Sequence, residues 1–194
     1  MKVLSELYKI PVPEEFFSDL DNKQLSHCLV CGKELIDSQS DYMIEKVFQV
    51  NNNRKTTIFE HAICMECSLE LRKSLSTESL ANIENYFRKN VDFIKRNELL
   101  IENNLLTSKD WLSHCIVKKT PLSDCSEYQT YCLCKGKYLN PGLLPYLVSE
   151  EVILEINELL SVKTKNEIDG FIDKYYGFPP EYRELMYGKK LIFV

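Results

Sequence analysis

The chain has 194 residues and a formal net charge of −5. Its 44% hydrophobic and 27% charged content are ordinary for a globular protein, and the length suffices for one sizeable core or two small domains. Residues 1–108 hold 13 basic and 17 acidic side chains and residues 109–194 hold 11 and 12, so neither half is a basic domain built around nucleic acid.

No apolar run approaches the ~18 residues of a membrane-spanning helix. The opening MKVLSELYKIPVPEEFF mixes charges among its apolar positions and has no signal-peptide core. Eight cysteines without a secretory signal point to a reducing compartment, expected to be cytoplasmic, where thiols serve metal rather than disulfides. No membrane association is expected.

In chain order, Pro11-Val12-Pro13 stiffens the lead-in. Pro13-Glu14-Glu15 then reads as a helix start with acids in the first turn and Phe16, Phe17 and Leu20 facing inward. Next comes Cys28-Leu-Val-Cys31-Gly32, and after 31 further residues Cys64-Met-Glu-Cys67. Two Cys-x-x-Cys pairs of this kind are a strong zinc signal, and four thiolates close a tetrahedral shell. Between them, Asp41 to Val50 and Arg54 to Ile63 are rich in β-branched and aromatic residues and predict two strands. Asn51-Asn52-Asn53 supplies the turn, because Asn tolerates the left-handed conformation. Ser68 to Leu75 follows Cys67 with good helix formers.

The order knuckle, hairpin, knuckle, helix over roughly residues 26–76 resembles the treble-clef and zinc-ribbon-like class of four-cysteine zinc modules. The resemblance implies a second cysteine pair at a helix N-terminus, where the dipole favours thiolates. Modules of that class serve protein binding, nucleic-acid binding and, in the His-Me nucleases, catalysis, so the class alone selects no function. His27 and His61 flank the pairs as spare ligands or neighbours. His61 is also a candidate nuclease base, but that chemistry needs an open metal position and a helix Asn or His that Ser68 to Leu75 does not offer.

Ser76-Thr77-Glu78-Ser79 is a capping cluster. Leu80, Ile83, Phe87 and Ile94, with Tyr86, Phe93 and Leu100 beside them, predict one long helix over about 79–103. Its apolar face is expected to pack on the second half, with a homodimer seam as the alternative. Arg88, Lys89, Lys95 and Arg96 read as a solvated face. A boundary is placed after residue 106. Thr107-Ser-Lys-Asp110 resembles a helix start, and Trp111, the single tryptophan, reads as a core anchor.

Cys115, Cys125, Cys132 and Cys134 form a second group. The alternation of Tyr128 to Cys134 puts the last two on one face of a strand. The four, with His114 to spare, are a candidate second zinc site, but their spacing matches no knuckle, and buried thiols are the simpler reading. Asn140-Pro-Gly142 is a turn. Helices are expected over 150–160 and about 165–176, the second from the Thr164-Lys-Asn-Glu167 capping box to Gly177. Glu181 to Tyr187 suggests a short helix, and Leu191 to Val194 a packed final strand.

These readings predict an α+β fold. Residues 1–106 form a treble-clef-like zinc module with an N-terminal helix and the long helix, and residues 107–194 form a mostly helical half. The expected function is zinc-dependent protein–protein interaction or scaffolding without catalysis, in a monomer or alternatively a homodimer. A nucleic-acid-binding zinc protein is the alternative, with a His-Me-type nuclease behind it. One Zn²⁺ is expected at Cys28, Cys31, Cys64 and Cys67, and a second, more weakly, at Cys115, Cys125, Cys132 and Cys134.

Overall fold

The computed structural model describes residues 10–38, 40–52, 54–140 and 142–177. The two expected strands are present as β1 (Asp41–Asn51) and β2 (Arg54–Cys64), joined by a turn in which Asn52 is left-handed at φ 50°. They pair antiparallel, with a register shift after Val47 that carries the ladder from Val47↔Phe59 to Phe48↔Thr57. β3 (Glu127–Lys135) pairs antiparallel with the other side of β1, from Asp41↔Lys135 to Gln49↔Glu127. Its outer edge is shared by β4 (Tyr138–Leu139) and β5 (Tyr146–Ser149). The result is a five-stranded antiparallel sheet with β1 and β3 at its centre.

Several expectations need correction, three of them at the level of whole elements. First, among its described residues the C-terminal half is not clearly mostly helical, because β3, β4 and β5 come from it. Second, the Pro13 helix start yields only a three-residue 3₁₀ turn, Glu14–Phe16. Phe16 is buried as expected, but Leu20 is 94% exposed. Third, the long helix over 79–103 is two helices. The segment before it is α1 (Met65–Ser74); α2 (Thr77–Asn90) then ends, and α3 (Phe93–Glu102) begins afresh. Asp92 causes the break, because its extended backbone stops the first helix and its carboxylate accepts from the Lys95 N–H as the cap of the next. Leu80, Ile83 and Phe87 keep the apolar stripe in α2, whereas Ile94 is 74% exposed in α3.

The chain divides into two compact units, each drawing on both sides of residue 106. One contains the sheet and, within residues 10–65 and 91–150, also α3 and the short α4 (Ser108–Trp111). The expected helix start at Thr107 is present, and Thr107 and Asp110 form a capping box there; Trp111 is buried with its Nε1–H donated to the Leu105 carbonyl. Arg96 on α3 donates to the carbonyls of Leu144, Pro145 and Trp111, so it is a structural clamp rather than part of a solvated face. Burial lowers its pKa to about 10.

Because β1 is central and covered on both faces, it is buried continuously from Tyr42 to Phe48, including Glu45 and Lys46. Lys46 Nζ donates to Phe17 O and Asp19 Oδ1, both at 2.6 Å, and lies 2.9 Å from Glu60 Oε2. These partners compensate the desolvated ammonium and fasten the irregular N-terminal segment to the sheet.

The other unit, within residues 66–90 and 151–177, is helical: nearly all of α1, and α2 with α5 (Glu150–Glu158) and α6 (Val162–Tyr176). Its helix starts share hydroxyls. Ser161 Oγ donates to Ser76 Oγ at 2.9 Å, Ser161 N to Ser79 Oγ at 2.8 Å, and Ser76 N to Thr164 Oγ1 at 3.0 Å. Ser161, not Thr164, is the N-cap of α6, and Gly177 ends it in the left-handed conformation at φ 55°. Residues 181–187 and 191–194 lie outside the described residues. Among the described residues, no helix is long and apolar enough to cross a membrane.

Candidate metal centre

The first knuckle is a tight turn. Gly32 sits at φ 69°, where a side chain would be strained, and donates its N–H to Cys28 O at 2.9 Å. Cys28 N reaches Lys33 O at 2.9 Å, and Leu29 N reaches Ala62 O at 2.9 Å, which ties the knuckle to β2. Cys64 is the last residue of β2, and Cys67 follows in the first turn of α1. One turn of continuous helix therefore places Cys67 beside Cys64.

The four Sγ atoms all lie within 4.8 Å of one another, and Cys31 Sγ and Cys64 Sγ are 3.9 Å apart. A tetrahedron with metal–sulfur bonds of about 2.3 Å has edges of about 3.8 Å. Cys28 and Cys64 are buried, Cys67 is intermediate and Cys31 is exposed at the rim. Burial pushes the Cys28 thiol up, but backbone N–H groups of Cys64, Cys31 and Val30 outweigh it and hold the pKa at about 7. The Cys64 N–H is 3.4 Å from Cys28 Sγ. Backbone donors aimed at a thiolate favour the ligand form.

Among the described residues this is the single group of three or more His, Cys, Asp or Glu side chains gathered to hold a metal. Cys115, Cys125, Cys132 and Cys134 are all buried and free. Cys132 and Cys134 do share a face of β3, with Sγ atoms 3.4 Å apart. Cys115 Sγ instead accepts from Ser149 N at 3.3 Å, and Cys125 Sγ points at Pro121 O at 3.5 Å. Burial raises the thiol pKa of Cys125, and that of Cys132 well above the usual value. His27 and His114 are exposed and bond to the neighbouring Ser26 and Ser113.

His61 has a different setting. It is buried, stacks on Phe59 at 6.2 Å between ring centroids, and pairs across the ladder with Glu45, Nε2 to Oε2 3.7 Å. Tyr131 OH, from the other flank of β1, lies 3.3 Å from Glu45 Oε1 and donates to Gln129 Oε1 at 2.6 Å. Tyr131 stacks on Tyr146 at 5.1 Å, and Tyr146 meets Phe93 edge-on at 5.7 Å. Burial holds both members of the pair neutral: it raises the Glu45 carboxyl well above its usual range and lowers His61 to about 4. The sequence signal for this cluster is the Glu-Lys pair inside the apolar run Tyr42 to Phe48.

A pH dependence follows. Folded Glu45 holds its proton more tightly than unfolded Glu, so its contribution to stability falls as pH rises above ~4.3. Folded His61 holds its proton less tightly, so its contribution is lost as pH drops from ~6.5 towards 4. Glu45→Gln removes the first titration and keeps a polar side chain beside Tyr131. The variant is expected to be at least ~1 kcal/mol more stable than the parent at pH 8, with the gap closing towards pH 5. Urea unfolding at the two pH values checks this; equal or lower stability of the variant at pH 8 contradicts it.

No protein-family model, curated protein or solved structure matches the chain.

Proposed function

We propose that the chain is a zinc-stabilised, non-enzymatic protein-interaction or scaffold protein, built on a treble-clef-like module and acting as a monomer in a reducing compartment. The observation that carries the reading is the convergence of Cys28, Cys31, Cys64 and Cys67 from a knuckle, a strand end and a helix start. An all-thiolate set of this size suits Zn²⁺, and four ligands saturate it. A saturated ion has no position for a water to be bound and acidified, which argues against hydrolysis at this centre. The nuclease reading has a further difficulty: His61 faces Glu45 in the sheet core. The near-balanced charge of both halves favours protein over nucleic acid as the partner.

Elemental analysis of the purified chain is expected to give one zinc per chain. Two would establish a further site and direct attention to Cys132 and Cys134, and none would overturn the reading. A fluorescent duplex DNA and a single-stranded RNA are expected to show no binding tighter than ~10⁻⁵ M at ~150 mM salt. Tighter, steeply salt-dependent binding would favour the nucleic-acid alternative.

A further inference from the structure

The sheet unit contains a cavity of about 180 Å³ that the metal centre does not use. Phe48, Tyr128, Leu112 and Leu147 form its apolar wall, and each is buried. Phe48 and Tyr128 are stacked, with ring centroids 4.9 Å apart. Lys55 and Lys109 also line the cavity and are exposed to solvent. Lys55 Nζ stands 4.7 Å over the Phe48 ring, and among the described residues neither lysine is in an ion pair. The lining also holds one acid, Glu15, which accepts from Ser108 Oγ at 2.7 Å, and Lys55 acts electrostatically on the Asp19 carboxyl. The cavity thus joins an apolar, partly aromatic interior to a rim that carries two ammonium groups and one carboxylate.

We infer that this cavity is a binding site for a small aromatic carboxylate, with the ring against Phe48 and Tyr128 and the carboxylate between Lys55 and Lys109. The volume sets the size, since a cavity of about 150 Å³ lined by apolar side chains takes benzene, so one substituted ring fits and a nucleotide does not. The rim sets the charge, because two ammonium groups outnumber the single Glu15 carboxylate and so favour an anion over a cation. Buried aromatic walls with a few polar groups converging at the mouth are the common design of small-ligand sites.

Benzoate and its neutral isostere benzamide are the probes, titrated into the full metal-loaded chain and followed by methyl and amide NMR shifts. Benzoate is expected to bind with a Kd of about 1 mM, shifting Leu112 and Leu147 methyls, and benzamide about tenfold more weakly. The double variant Lys55→Met, Lys109→Met is expected to bind benzoate about tenfold more weakly and benzamide unchanged. Its metal content and circular dichroism establish that it folds. Equal affinity for benzoate and benzamide in the parent, benzoate binding unchanged in the variant, shifts away from Leu112 and Leu147, or no binding at ~10 mM would each overturn the assignment.

Discussion

A Cys64→Ser chain is expected to carry one metal equivalent fewer than the parent and to lose the folded knuckle around Cys28 and Cys31. Cys64 is 1% exposed, its Sγ is 3.9 Å from that of Cys31, and its N–H points at Cys28 Sγ. A serine hydroxyl in its place is not ionised at neutral pH, so three thiolates and a weak donor remain. The described residues from Ile10 to Ser40 contain no helix or strand beyond the Glu14–Phe16 turn, so turns, isolated bridges and side-chain bonds, rather than a continuous ladder, hold that segment beside the ion. Structural zinc binding is worth about 10–16 kcal/mol in small metal-folded domains, comparable with the whole stability of a typical protein. Loss of even a third of that would unfold the region. Cys132→Ser is the control and is expected to keep its metal, because Cys132 lies outside the cluster. Metal content and hydrogen exchange at residues 26–35 provide the readout; full zinc in Cys64→Ser would sink the assignment.

What could be read from the chain beforehand follows the range of the interactions. The Cys-x-x-Cys pairs, the turn at Asn52, the Thr107–Asp110 helix start and Gly177 are local signals, and each lies where its residue types placed it. The break between α2 and α3 was also written locally, in Asp92, but a continuous apolar stripe masked it. The pairing of β3 with β1 joins residues as far apart in sequence as Ile44 and Cys132, 88 positions, and no short window can show it. That pairing explains why the strand alternation at Tyr128 to Cys134 was legible while its membership of a central sheet was not. The same limit hid the Glu45, His61 and Tyr131 cluster. Its members come from three strands, and each alone reads as a surface polar residue or a ligand candidate. The candidate cavity was hidden for the same reason, since Phe48, Leu112 and Tyr128 meet only after the sheet has formed.

A chain ending at Asn104 is expected to keep its metal and lose its solubility. All four clustered cysteines precede the cut, so the ion still has its ligands. The sheet does not survive, because β1 loses nine register pairs with β3 and becomes an edge. The remaining hairpin of β1 and β2 is a two-stranded ribbon, which is marginal in water without further packing. Tyr42, Ile44, Val47 and Phe48, all buried in the whole chain, stand on the strand newly uncovered. Burial of such side chains is worth about 1.5–3 kcal/mol each, so losing even half of it removes a large share of an ordinary protein's stability. The uncovered edge presents unpaired N–H and C=O groups beside apolar side chains, and such an edge templates association. α2 also loses the α5 and α6 segments that share its hydroxyl network at Ser76 and Ser79. Light scattering is therefore expected to show large particles for the truncated chain and monomer for the full chain, with similar zinc per chain in both. A truncated chain that is monomeric, with its β1 and β2 amides still protected from exchange, would show that the hairpin and metal module fold without the rest of the sheet.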